Sequence, residues 1–179
     1  MRPDLETSSE AKARLRKTQR AQLALIDAAD ARRVATQVAN AVLALQEVHS
    51  ARGVLACWSF GVEVPTHDLV RRLVDLGKKV YLPRVEPGRR IGAMTLHAYP
   101  CSLERLRFGL EQPVASTPVL SPADIDDVVD VALVLGLAFD HDGYRLGYGG
   151  GYFVRFFDRH RAVPVGLGFD AQRVDPLPR

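Results

Sequence analysis

Hydrophobic spacing along the chain switches repeatedly between a helical and an extended period. Thr7 and Glu10 stand at capping-box spacing, which predicts a first helix from there to about Leu25. A second helix is predicted from Ala28 to about Val48, with Val34, Val38, Val42 and Leu45 as its buried stripe. Val54 to Trp58 reads as a short buried strand after Gly53. Thr66 can cap a helix whose apolar face is Leu69, Val70, Leu73 and Leu76, stopped by Gly77. Lys79 to Leu82 is the next strand, closed by Pro83. Strand, helix and strand in so short a span make a βαβ unit, hence parallel pairing. Pro87-Gly88 is a turn, and Met94 to Tyr99 alternates weakly, as an edge strand would. Pro100 to Pro122 has little periodicity and reads as a long loop with short pieces. Val128 to Leu135 is the clearest buried strand, and Asp142-Gly143 a turn. Arg145 to Gly151 is a glycine loop, Tyr152 to His160 a helix, and Val163 to Phe169 a last strand. The pattern is α/β, with a mixed, mostly parallel sheet covered on both faces.

Length and composition narrow this further. At 179 residues the chain is expected to form one domain, 1–179. Apolar residues make up 47%, charged residues 25%, and there are 14 glycines and 11 prolines, which excludes a disordered, collagen-like or coiled-coil chain. The longest apolar run, Val131 to Phe139, is far shorter than the roughly 20 residues a membrane helix needs. The basic N-terminus lacks an apolar signal core, and Cys57 and Cys101 form no C-x-x-C. A reducing, cytoplasmic setting is therefore expected. A net charge of +3 is a mild bias toward anionic partners, without choosing between nucleotide, nucleic acid and acidic small molecule.

The strongest chemical feature is Gly136-Leu-Ala-Phe-Asp140 followed by Gly143-Tyr-Arg145-Leu-Gly147-Tyr-Gly149-Gly150-Gly151-Tyr152. A buried strand ends, the chain turns, and glycines feed a helix. Such a loop lets backbone amides approach an anion closely, and Arg145 could add a bidentate contact to phosphate. The plainer reading is a tight turn that needs small residues. The loop is not a Walker A sequence, since no G-K-[ST] follows, and Tyr152 replaces the third glycine of a dinucleotide fingerprint. Lys12, Arg16 and Arg20 share a helix face and could reach a polyphosphate or simply be solvated. Trp58 and Glu63 follow the first strand, where α/β sheets place ligands. Trp58 could stack on a flat heterocycle and Glu63 accept from its ring N–H groups; a core tryptophan and a surface carboxylate are the plainer alternatives. Met94 reads as core filler. There is no G-x-S-x-G elbow and no His/Cys metal spacing, and the acidic cluster Asp124, Asp126, Asp127 and Asp130 reads as a solvated turn.

Together these pieces resemble the 5-formyltetrahydrofolate cyclo-ligase (methenyltetrahydrofolate synthetase) family. The resemblance runs in order through Lys12-x-x-Leu15-Arg16, Trp58-Ser-Phe-Gly-Val-Glu63-Val-Pro-Thr66, Gly77-Lys-Lys-Val-Tyr-Leu-Pro-Arg84, the two glycine segments, and Gln172 after a Gly-Leu-Gly-Phe strand end. It implies a three-layer α/β/α fold of the NagB/RpiA/CoA-transferase-like type. It also implies an ATP- and Mg²⁺-dependent closure of 5-formyltetrahydrofolate to 5,10-methenyltetrahydrofolate, releasing ADP and phosphate. By the same resemblance Lys12, Arg16, Arg145, Gly147, Gly149, Gly150 and Gly151 would bind ATP. Trp58, Glu63 and Tyr152 would bind the folate, and Arg145 and Tyr152 would act in catalysis. The partners would be 5-formyltetrahydrofolate and ATP, with no nucleic acid or membrane, on a monomer.

The chain departs from the family's pattern in two places. The family aspartate that holds Mg²⁺ falls at Val154, which offers no oxygen to a hard cation. Asp158, one turn later, is a candidate substitute. The family also usually continues beyond the Leu177-Pro178 stretch, where this sequence stops at Arg179. Three functions are thus in view: an active cyclo-ligase whose Mg²⁺ is held chiefly by ATP, a folate- or nucleotide-binding homologue with weakened catalysis, and a basic polyanion binder.

Overall fold

A computed structural model describes residues 7–85 and 93–179. The capping box forms as its spacing predicts. The Thr7 hydroxyl accepts from the Glu10 amide and the Glu10 carboxylate from the Thr7 amide, starting α1 (Ser8–Leu23). Asp27 caps α2 (Ala28–Ala44) by accepting from the amides of Ala29 and Asp30. The single long second helix expected to Val48 is broken. Leu45 turns extended at ψ 134° and α3 (Gln46–Ser50) restarts after it. The break swings Val48 into the core and leaves Leu45, expected in the buried stripe, exposed.

Next come β1 (Gly53–Ala56) and α4 (His67–Asp75). Thr66 holds the N-cap position of α4 but does not cap it. Its hydroxyl accepts from the Ser59 amide and donates to the Cys57 carbonyl, closing the intervening loop instead. Leu69, Val70 and Leu73 are buried, whereas Leu76 lies past the last turn and is exposed. Gly77, at φ +77°, then ends the helix. Strand β2 (Lys79–Val85) pairs parallel with β1, completing the βαβ unit. Pro83 does not close this strand: pairing with β1 stops at Tyr81, so the prolyl nitrogen faces no strand partner that needs an amide. Strand β3 (Met94–Tyr99) is an edge strand, as expected, and it runs antiparallel to β2; the Pro87-Gly88 turn lies outside the described residues.

The proline-rich stretch contains a hairpin of β4 (Leu103–Arg105) and β5 (Glu111–Pro113). The start of the strand expected from Val128 is instead the end of a short helix, α5 (Ile125–Val128), and β6 (Val131–Leu135) begins after Asp130 turns back to accept from the amides of Arg52 and Gly53. Within the glycine-rich region β7 (Ala138–Phe139) pairs with β8 (Arg145–Leu146) around the Asp142-Gly143 turn, so Arg145 and Leu146 are strand rather than loop. Helix α6 (Tyr152–Phe157) ends before His160, and β9 (Val163–Leu167) pairs parallel with β6.

The main sheet runs β3-β2-β1-β6-β9, antiparallel only at β3. Successive strand residues point to opposite faces. Val54, Ala56, Val80, Leu82, Val131, Leu133 and Leu135 pack with α2, α3 and α4 on one face. Leu55, Tyr81, Leu96, Ala132 and Val134 pack with α5 and α6 on the other. This is the α/β, mixed and mostly parallel sheet between helical layers that the hydrophobic pattern predicts. From β1 the chain passes to β2 on one side, whereas β6 adds on the other. The order of strands therefore reverses between β1 and β6, and α/β folds open a crevice beyond the strand ends at such a point.

Candidate active site

A cavity of about 800 Å³ opens at this crevice. Cys57 and Trp58 enter it from the end of β1, and Leu135 from the end of β6. One wall is cationic and glycine-rich: Lys12, Arg16 and Arg20 of α1, Arg145 of β8, and Gly147, Gly149, Gly150 and Gly151. A second stretch of wall is apolar and aromatic with two carboxylates: Trp58, Phe60, Glu63, Met94, Phe108 and Glu111. Tyr152, Phe153 and Val154 of α6 and Tyr148 of the glycine loop also line it. The residues expected from the sequence to bind ATP and folate thus line one cavity, from chain segments more than a hundred positions apart.

Helix α1 reaches the glycine loop through Arg16, whose Nε donates to the Gly147 carbonyl at 2.9 Å. Arg145 is threaded between two glycines. A methyl group on Gly136 would come within 2.9 Å of the Arg145 Cγ, and one on Gly147 within 3.0 Å of its guanidinium. The guanidinium donates to the Leu135 carbonyl and lies 5.0 Å from the centre of the Phe153 ring. Burial lowers its pKa from the ordinary value, with Cys57 and Glu63 acting in the opposite sense. So the small residues at 136 and 147 make room for the arginine; the conformational need for glycine lies at Gly149 (φ +103°) and Gly151 (φ +68°).

Glu63 is no surface carboxylate. Burial pushes its pKa up to about 7, opposed by the Phe60 amide, which donates to it at 2.9 Å, and by Arg145 and Tyr148. Trp58 combines both readings of the sequence. It is 9% exposed, T-shaped against His67 at 4.5 Å, and still presents an edge to the cavity, with Nε1 donating to Glu111 at 3.1 Å. Met94 lines the cavity as well as packing on the core. Cys57 is unsuited to act as a nucleophile, because burial, with the nearby Glu63 charge, raises its thiol to about 12.

Sequence reasoning missed Phe60, Phe108, Glu111 and Tyr148. Glu111 and Phe108 sit in the aperiodic proline-rich stretch, and what places them is Arg84. Its guanidinium, from β2, bonds the Glu104 carboxylate and the Pro113 carbonyl and so holds the β4–β5 hairpin against the sheet. Other residues of the recognisable segments are structural. Lys78 donates to the carbonyls of His49 and Ala51. Asp140 accepts from the Tyr144 amide, and the buried Gln172 accepts from the Phe169 amide and donates to the Gly136 carbonyl. Asp158 is exposed and outside the cavity lining, so it does not replace the acid missing at Val154. Among the described residues no group of three or more His, Cys, Asp or Glu is placed to hold a metal ion. Nor is any helix among them long and apolar enough to cross a membrane.

The profile of the 5-formyltetrahydrofolate cyclo-ligase family matches residues 8–179. The 5-formyltetrahydrofolate cyclo-ligase of Escherichia coli K12 is 33% identical over 146 residues, covering 79% of each chain. That of Haemophilus influenzae is 31% identical over 145 residues, 79% of this chain and 76% of its relative. Among solved structures, the 5,10-methenyltetrahydrofolate synthetase of Aquifex aeolicus superposes with a TM-score of 0.75 at 30% identity, over 94% of this chain and 82% of that one. The Mycoplasma pneumoniae synthetase, at 18% identity and a TM-score of 0.69 over 92% and 88% of the two chains, shares the fold. The chain, an enzyme by this kinship, belongs to the 5-formyltetrahydrofolate cyclo-ligase family.

Proposed function

We propose that the chain closes 5-formyltetrahydrofolate to 5,10-methenyltetrahydrofolate at the expense of ATP, releasing ADP and phosphate. The observation that carries this reading is one cavity lined both by a cationic, glycine-rich wall and by an aromatic wall with a half-buried carboxylate whose pKa is raised. ATP suits the first: Lys12, Arg16 and Arg145 supply charge, and the loop Gly147 to Gly151 lets backbone approach phosphate closely. The folate ring suits the second. Glu63 accepts from ring N–H groups, Trp58 borders the heterocycle, and Tyr152 stands at the junction.

A formamide oxygen is a poor leaving group. In the proposed reaction that oxygen attacks the γ-phosphorus and ADP departs. N10 then attacks the activated formyl carbon, phosphate leaves with the carbon–oxygen bond, and the N10 proton is lost. Arg145 has one donor committed to the Leu135 carbonyl, which fixes its plane and leaves its remaining donors for the transferring phosphoryl group. The folate wall holds N10 beside the formyl carbon, so closure is intramolecular.

The residues present do not fit a protein-held Mg²⁺. Val154 is hydrocarbon, Glu63 accepts from the Phe60 amide, and Glu111 accepts from Trp58. No step of the reaction is therefore assigned to a metal on the protein, and Mg²⁺ would enter as the nucleotide's own counter-ion. Small-molecule substrates, a cytoplasmic setting and a monomer complete the proposal.

The test is formation of the methenyl product from 5-formyltetrahydrofolate and ATP, with and without Mg²⁺. Turnover that needs ATP supports the enzyme. Tight folate binding with no turnover at any Mg²⁺ concentration would establish instead a binding homologue that has lost catalysis, which the acid-free metal position favours.

A further inference from the structure

Tyr148 lies in the glycine loop, yet its ring is half-buried and packs on the main core. The ring stacks on Phe60 of the β1–α4 loop, with centroids 5.6 Å apart and planes at 30°. The Arg20 guanidinium of α1 lies 5.0 Å from the centre of the same ring. Phe60, on which the ring stacks, donates its amide to the Glu63 carboxylate at 2.9 Å, and the Tyr148 phenol favours the charged form of that carboxylate. The preceding residue, Gly147, accepts from Arg16. One residue therefore ties together the segment that would hold phosphate, the helix that brings cations to it and, through Phe60, the carboxylate that would hold the folate ring.

We propose that Tyr148 is a positioning residue that couples the two substrates: nucleotide on the glycine loop fixes Tyr148, and Tyr148 fixes Glu63 toward the folate ring. The inference rests on the assignment of Glu63 to the folate. Four groups face Glu63: the Phe60 amide from its own loop, Arg145 from β8, Cys57 from the end of β1, and Tyr148. Of these, Tyr148 belongs to the loop that nucleotide would order. Such coupling is reciprocal: if nucleotide tightens folate, folate tightens nucleotide by the same factor.

The experiment is calorimetric titration of 5-formyltetrahydrofolate with and without a non-hydrolysable ATP analogue, on the wild type, Tyr148→Phe, Glu63→Gln and the double variant. In the wild type the analogue is expected to tighten folate at least about fivefold, the lower end of typical coupling. Tyr148→Phe keeps the ring stack and the Arg20 contact, still binds the analogue alone, and loses the enhancement. The pH at which its folate affinity develops moves upward, because the phenol no longer favours the Glu63 carboxylate. An enhancement that survives in Tyr148→Phe, or is missing from the wild type, overturns the proposal. In the Glu63→Gln background, Tyr148→Phe should change folate affinity no further; an added loss would mark a packing defect and equally overturn it. Folate affinity untouched by Glu63→Gln alone would sink the assignment of Glu63 itself, a separate failure.

Discussion

Gly136→Ala is the sharpest probe of the phosphate wall, because it displaces a charge without removing it. The new methyl group would stand 2.9 Å from the Arg145 Cγ and 3.2 Å from both the Leu146 carbonyl oxygen and the Phe139 ring. Backbone closes one side, so the strain is relieved by moving the arginine stem. That breaks the bond to the Leu135 carbonyl and moves the guanidinium off the phosphate position, and the loss of one hydrogen bond from it to phosphate costs about 1.5–3 kcal/mol of binding. At 1.4 kcal/mol per tenfold, ATP affinity should fall about 10- to 100-fold. Overpacking should also lower the melting temperature by a few degrees, at about 2–4 °C per kcal/mol for a chain of this size. Folate affinity should hold, since Gly136 does not line the folate wall. Calorimetric titration of each ligand separately, alongside a thermal melt, reads all three quantities. Arg145→Ala should give the same asymmetry more strongly. A lower melting temperature with ATP affinity unchanged, or equal loss of both ligands, would refute the role given to Arg145.

Three other perturbations test other parts of the reasoning. Folate affinity should rise with pH through about 7 as Glu63 ionises, and Glu63→Gln should flatten that profile; a profile indifferent to the substitution contradicts the assignment. The same raised pKa makes the folded protein bind more protons than the unfolded chain between about 4.5 and about 7, so Glu63 lowers the stability of the ligand-free protein as pH rises through that window, and thermal melts of wild type against Glu63→Gln should diverge across it. Val154→Asp should raise turnover at limiting Mg²⁺ and increase Mg²⁺ affinity of the nucleotide-bound protein by calorimetry; no change in either would mean that the nucleotide alone meets the metal requirement. Gln172→Ala should strand the buried Phe169 amide and Gly136 carbonyl, destabilise by about 3 kcal/mol, and lower the melting temperature by about 6–12 °C.

Periodicity announced the βαβ unit, the buried β6 and the edge strand β3, because each depends on local spacing and burial. It missed the break at Leu45, where tertiary contacts redirect Val48, and the continuation of β2 through Pro83, because no sequence signal tells a strand which of its sides has lost its partner. Glycines 147 to 151 marked the proposed phosphate wall, but not that Gly147 is small for the sake of Arg145. The folate wall was half legible. Trp58 and Glu63 stand after a recognisable strand, whereas Phe108 and Glu111 are delivered by a hairpin whose position depends on the long-range bonds of Arg84.

Helix α1 buries few side chains, Gln19 and Leu23, and is joined to the rest of the site through Arg16 on the Gly147 carbonyl, 131 positions away, and Arg20 against the Tyr148 ring. An element held by so little apolar contact opens at well below the free energy of global unfolding. Its amides should therefore exchange early in the ligand-free protein. Nucleotide seated between Arg16 and the glycine loop would close that opening, so bound substrate should protect the beginning of the chain against hydrogen exchange and tryptic cleavage far more than it protects the central strands. The same long tie sets the order of events during synthesis: the site cannot form on the earlier segments alone, and it is completed when the glycine loop folds back onto a helix made well before it.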